Sequence, residues 1–291
     1  MKIVVFIINS LARLPFGVLY VLADAVYFIL RFIMRYRKGV ITENLHLSFP
    51  EKSVREIKEI RNDFYRNFAD YIVETIKLAH VSEDEIARRF TFSDTEYLEQ
   101  AASEGKNTVI YFSHCFNWEW APSVTLHLPS EIGERKIEFC QVYRPLKNKG
   151  FDSLMLRLRG RFGSLSLKKS SVLRDLLSLN REGKIWITGF MSDQRPSHGD
   201  NDLYIPFLGR ETAFISGTER VARTFKASVI YWDMEKTSRG HYHITCRPIC
   251  QDASTPTQGE ITREYAQMLE TTIRRRPGLW LWSHKRWRAP R

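Results

Sequence analysis

The chain has 291 residues, with 44 Lys and Arg against 33 Asp and Glu and a formal net charge of +11. Apolar residues at 43% exclude a disordered chain, four cysteines are too few for a disulfide scaffold, and a mean hydropathy of −0.32 excludes a polytopic membrane protein. The positive surplus points to an anionic partner: nucleic acid, an anionic membrane face, or an acidic substrate or carrier protein.

Residues 3 to 34 are mostly apolar. The run Leu14 to Leu30 holds one charge, Asp24, and two helix-weakening residues, Pro15 and Gly17. A spanning helix needs about 20 apolar residues, so the length is borderline. Arg31, Arg35, Arg37 and Lys38 follow at once, as expected of an anchor whose basic end faces an anionic cytoplasmic leaflet. A buried helix of a soluble domain has the same composition, and the six aromatic side chains between Phe6 and Phe32 suit an interfacial helix as well as a core one. The organisation read here is an anchor with its basic flank over 1–38 and one domain over 39–291.

Within that domain, Ile57, Ile60, Phe64, Phe68, Ile72, Ile76 and Ala79 recur at three- and four-residue spacing, which predicts an amphipathic helix over 53–80. Ser53 and Glu56 make a capping box at its start. Past residue 105 short apolar runs alternate with helical patterns. The predicted strands are Thr108–Ser113, Ile137–Val142, Lys184–Thr188, Ser228–Asp233 and Tyr242–Arg247. The predicted helices are Glu119–His127, Ser171–Arg181, Ser216–Phe225 and Thr262–Arg275. Alternation of this kind predicts an α/β fold.

The run Thr108 to Phe112 reads as a buried strand, and Ser113-His114-Cys115-Phe116-Asn117-Trp118-Glu119 follows it. Functional groups gather at the carboxyl ends of strands in open α/β sheets, and His114 falls at such an end. On one continuous helix His114 and Glu119 would stand about 140° apart, and on one strand they would face opposite ways. Only a strand–turn–helix can join them. A carboxylate on one imidazole nitrogen fixes the tautomer and makes the other nitrogen a general base for a hydroxyl.

His114-x4-Glu119 resembles the H-x4-D/E motif of membrane-associated acyltransferases, and the chain is most similar to the late-stage lipid A acyltransferases of the lauroyl- and myristoyl-transferase type. The resemblance extends in order over nearly the whole chain. It takes in Asn44-Leu45-x-Leu47-Ser48-Phe49-Pro50, Tyr143 to Asn148, Asp193-Gln194, Pro206-Phe207-x-Gly209, Gly217-Thr218 and Leu281-Trp282-x-His284-x-Arg286-Trp287. It implies an αβα sandwich of the glycerolipid acyltransferase type, acting at the cytoplasmic face of a bacterial inner membrane. His114 and Glu119 would be catalytic, and Asn117, Arg144, Asp193, Gln194 and Thr218 substrate-binding. A fatty acyl chain would pass from a thioester, acyl carrier protein or coenzyme A, directly to a hydroxyl of a lipid A precursor. The resemblance implies no metal, no cofactor and no acyl-enzyme. Arg144 would meet a phosphate; Asp193 would bind a sugar hydroxyl, or hold Arg144 or the site loop. Another polar lipid as acceptor and N-acyl transfer are the alternatives within the enzyme class, and a basic membrane or nucleic-acid binder is the alternative outside it.

Competing signals are weaker. Cys115 lacks an orienting partner as a nucleophile, and His241, His243, Cys246 and Cys250 match no usual zinc spacing and alternate as a strand does. No P-loop, G-x-G-x-x-G or G-x-S-x-G is present. Arg274 to Arg291 mixes seven basic residues with Trp280, Trp282 and Trp287, which is read as a contact with an anionic membrane rather than with nucleic acid.

Overall fold

A computed structural model describes residues 2–196 and 202–287; Arg288 and Arg291 of the basic terminus lie outside them. The apolar segment forms two helices, α1 (Lys2–Ala12) and α2 (Phe16–Phe28), the second continuing through a π turn over Ile29–Ile33. Pro15 separates them, because its ring supplies no N–H and presets the φ of −59° at the start of α2. α3 (Lys38–Ser48) and α4 (Val54–Lys77) follow. The capping box at α4 is present: Ser53 Oγ accepts the Glu56 N–H, and Glu56 Oε2 accepts the Ser53 N–H at 2.8 Å.

α2 lies antiparallel along α4. Leu19 and Ala23 pack on Ala69 and Val73, Tyr27 lies under the Arg66 guanidinium, and Arg31 Nε donates to Asn62 Oδ1 at 2.7 Å. Arg239 ties the pair from outside by bridging Asp24 and Asp70. The opposite face of this segment is bare: Val21 is 69% exposed, and Phe28, Phe32 and Ile33 are more than half exposed. By length and composition Phe16–Ile33 is enough to cross a membrane, yet one of its faces is fastened to the body throughout. The sequence offered an anchor or a core helix; the structure has one face of each kind.

The rest is a mixed α/β assembly. Its elements begin with α5 (Glu83–Arg89), β1 (Phe90–Ser93), α6 (Glu96–Ser103), β2 (Thr108–Phe112), β3 (Glu131–Ile132) and β4 (Arg135–Tyr143). Next come α7 (Lys149–Arg159), β5 (Leu165–Lys168), α8 (Val172–Arg181), β6 (Ile185–Met191), β7 (Asp202–Phe207) and β8 (Arg210–Ile215). α9 (Gly217–Thr224), β9 (Ser228–Ser238), β10 (His241–Cys250) and α10 (Glu260–Arg275) complete it. The main sheet has the order β1-β10-β9-β2-β6-β4-β3, with β5 on β4. β9, β2, β6 and β4 are mutually parallel, and β2 in their midst is buried at every residue, as its unbroken apolar run requires.

All five predicted strands are present. The stretch expected as a helix over Glu119–His127 is instead a 3-10 helix, Trp118–Leu126, with Pro122 inside it, where the missing N–H disfavours α geometry. β7 and β8 pair as a separate hairpin whose turn is Leu208-Gly209, both at positive φ.

Candidate active site

The parallel register of β2 and β6 builds the site. Phe112 pairs with Met191 at the carboxyl ends of the two strands, so His114 and Asp193 each stand two residues beyond a paired position. Asp193 Oδ1 lies 2.7 Å from His114 Nδ1, and Asp193 Oδ2 accepts the His114 backbone N–H at 3.0 Å and the Trp280 indole N–H at 2.8 Å. Burial would push the Asp193 carboxyl up, but the imidazole beside it and these donors hold it below the usual carboxylate value. An ionised Asp193 favours the tautomer with the proton on Nδ1, which leaves Nε2 as the accepting nitrogen of the ring.

Glu119 was expected to hold His114, and the structure corrects this. Its carboxylate, 3% exposed, receives both nitrogens of a bidentate Arg159 at 2.7 and 2.8 Å and the Trp118 indole N–H at 3.1 Å. A guanidinium fork is a stronger partner for a carboxylate than a neutral imidazole, and Arg159 reaches it from the last turn of α7. The Trp118 ring then packs edge-on against His114, centroids 5.0 Å apart.

Asn117, expected at the substrate, is fully buried. Its Oδ1 accepts the Glu119 N–H at 3.1 Å, capping the 3-10 helix, and its Nδ2 donates to Glu74 at 3.0 Å. Asp193, for which a sugar hydroxyl was one option, is turned onto His114 and Trp280 instead. Arg144, Gln194 and Thr218 do line one cavity with His114, and Thr218 shares a 2.8 Å hydrogen bond with Ser192. That cavity measures about 830 Å³, the size of a single-ligand site. Its apolar wall includes Ile110, Phe112, Val124, Phe139, Ile187 and Trp232, and Arg144, Lys169, Arg174 and Arg220 also border it.

Cys115 is buried, and burial pushes its thiol up to about 12, so it carries no thiolate near neutral pH. His243 is held between Thr91 and Ser93 of the neighbouring strand β1, as a strand residue would be. The tryptophans near the terminus were read as a membrane contact. Trp280 and Trp282 are instead buried, 3% and 0% exposed, and Trp287 stacks under Arg210. Their segment is part of the site: Leu281 N–H donates to His114 O, Phe116 N–H donates to Leu279 O, and Asn44 Nδ2 donates to the carbonyls of Trp282 and His284. Two blocks of the resemblance, near Asn44 and near Trp282, thus meet behind the carboxyl end of β2. Sequence reasoning missed Arg159, because no helix was expected over Lys149–Arg159, and it missed Glu74, because the apolar stripe of α4 drew attention to the other face.

Residues 1–289 match the family model for bacterial lipid A biosynthesis acyltransferases. The chain belongs to that family. A lipid A biosynthesis acyltransferase of Haemophilus influenzae is 22% identical over 240 residues, 82% of this chain and 72% of that protein. A lipid A biosynthesis palmitoleoyltransferase of Escherichia coli K12 is 22% identical over 284 residues, 95% of this chain and 87% of that protein. At this distance membership fixes the class of enzyme, an acyltransferase, and the geometry must carry the rest.

Proposed function

We propose that this acyltransferase moves a fatty acyl chain from a thioester, with acyl carrier protein as donor, to a hydroxyl of a lipid A precursor at the cytoplasmic face of a bacterial inner membrane. The observation that carries the reading is the 2.7 Å His114–Asp193 pair at a largely apolar cavity with a basic border. His114 Nε2 takes the acceptor hydroxyl proton while Asp193 stabilises the imidazolium. The alkoxide attacks the thioester carbonyl, the tetrahedral intermediate collapses, and the departing thiolate recovers the proton from His114. Every bond is exchanged between the two substrates, so the reaction calls for no cofactor and no enzyme nucleophile. Glu119 acts one step back, holding Arg159 and Trp118 in place. The acyl chain lies along the apolar wall, and Arg144, Gln194 and Thr218 meet the polar head, where an Arg suits a phosphate. We read the frame as the αβα sandwich of the glycerolipid acyltransferase type, with residues 1–38 seated on the membrane by the bare face of α2.

The test is transfer of radiolabelled acyl chain by purified, detergent-solubilised protein, from carrier protein or coenzyme A, to a tetra-acylated lipid A precursor or total polar lipids. Label on the precursor in wild type, lost in His114→Ala and Asp193→Ala, supports the reading. Transfer that survives in His114→Ala overturns the base, and label on another lipid overturns the acceptor.

A further inference from the structure

Glu74 sits inside α4 at 0% exposure, an expensive place for a carboxylate unless donors surround it. Three do. Tyr20 of α2 donates its hydroxyl to Oε1 at 3.2 Å, while Tyr242 of β10 and Asn117 Nδ2 donate to Oε2 at 2.8 and 3.0 Å. The Glu74 backbone carbonyl accepts the Trp120 indole N–H at 3.1 Å. Asn117 passes the connection on by accepting the Glu119 N–H, and Glu119 in turn holds Arg159 and Trp118. Trp118 is the ring against which His114 rests. A continuous set of hydrogen bonds therefore runs from the apolar N-terminal segment to the packing surface of the imidazole.

Fastening α2 to the body does not require this set. Leu19 and Ala23, the Arg31–Asn62 bond and the Arg239 bridge already do that from end to end. What Tyr20 adds is a donor to the one buried carboxylate that also anchors the Asn117 cap.

We propose that Glu74 is a positioning residue for acyl transfer, and that Tyr20, brought by the apolar N-terminal helix, is part of the same device. The helix that would seat the protein on lipid thus also sets the Asn117–Glu119 segment and, through Trp118, the orientation of His114. The proposal rests on the acyl-transfer reading above, and the experiment separates the two.

The full chain is reconstituted in anionic phospholipid vesicles, and Tyr20→Phe, the gentlest cut in the set, is compared with wild type. We expect kcat to fall about tenfold, with KM for donor and acceptor and vesicle retention unchanged and the melting temperature lowered only by a few degrees, the cost of one of three donors to a buried carboxylate. Tyr20→Phe added to Glu74→Gln lowers kcat no further, as coupled sites require. Asp24→Asn, which loosens only the outer fastening, leaves kcat intact. Hydrogen exchange supplies a readout independent of activity: Tyr20→Phe speeds exchange of the Glu119 amide several-fold while the amides of α4 stay protected. An unchanged kcat and an unchanged Glu119 amide in Tyr20→Phe overturn the proposal, as does a kcat that falls only in step with vesicle retention or melting temperature. Wild-type protein idle on every donor and acceptor counts against the transfer reading instead, and the exchange result then decides the positioning claim alone.

Discussion

Two buried carboxylates stand beside one cavity, and they are held in opposite ways. Asp193 lies 79 residues from His114 in sequence and is bonded to it twice; Glu119 lies five residues away and is bonded to Arg159 instead. Parallel strand register explains the first, since β2 and β6 end level with each other. The second follows from the 3-10 course of Trp118–Leu126 and a bidentate guanidinium within reach. Proximity along the chain suggests a partner, while the register of neighbouring strands supplies one.

Removing His114 gives the largest effect that tests this contrast. His114→Ala should lower kcat by about a thousandfold, within the range of a lost general base. Asp193→Asn comes next, lowering kcat by about a hundredfold or more by releasing the wrong tautomer, with KM little changed. A milder loss in Asp193→Asn than in Glu119→Gln would reverse the assignment of the two carboxylates. Glu119→Gln should lower kcat by about tenfold, through Trp118, and cost about 3 kcal/mol of stability, because it leaves the Arg159 guanidinium buried without its counter-charge. Glu119→Gln combined with Arg159→Met should recover much of that stability in urea unfolding, and no recovery would show that the cost does not come from an unpaired guanidinium.

A smaller effect concerns His284, which interacts with both Asp193 and His114 and which burial lowers to about 4. Between that value and the ordinary one near 6.5 the unfolded chain binds a proton that the folded chain refuses. Stability therefore rises with pH across this window and levels off above it. His284→Gln should narrow the gap between urea midpoints measured at pH 5 and pH 7.5, by about 1 kcal/mol for a partly buried ring. An unchanged gap would place the acid sensitivity elsewhere.

Much of the frame was legible because it rests on local patterns. The unbroken run Thr108 to Phe112 could only be an interior strand, and Ser53 with Glu56 marked the start of α4. His114 was found by its place after a strand, and Asp193 was noticed but matched to a sugar hydroxyl, Arg144 or the site loop rather than to His114, since which strand neighbours β2 is a matter of topology. Glu74 and Asp70 stayed hidden because a buried polar face has no periodicity of its own to contrast with an apolar stripe. No strand was predicted over the hairpin β7–β8, because Pro206 and Gly209 are both breakers, and yet β7 runs through Pro206. The tryptophans of residues 280–287 misled for a related reason: amphipathic rings among arginines suit an interface, and here the partner surface is the back of the site.

That last segment carries a consequence for biosynthesis. Backbone bonds from Leu281 to His114 and from Phe116 to Leu279, with the Trp280 indole on Asp193, brace the His114–Asp193 pair. A nascent chain displays its strands, its apolar helix and its histidine to the ribosome exit long before Trp280 emerges. Until then Asp193 lacks one of its donors and His114 lacks the backbone pairing that fixes its place. Competence thus requires Trp280 to have emerged, well after the strands that carry His114 and Asp193 and later still than the apolar helix.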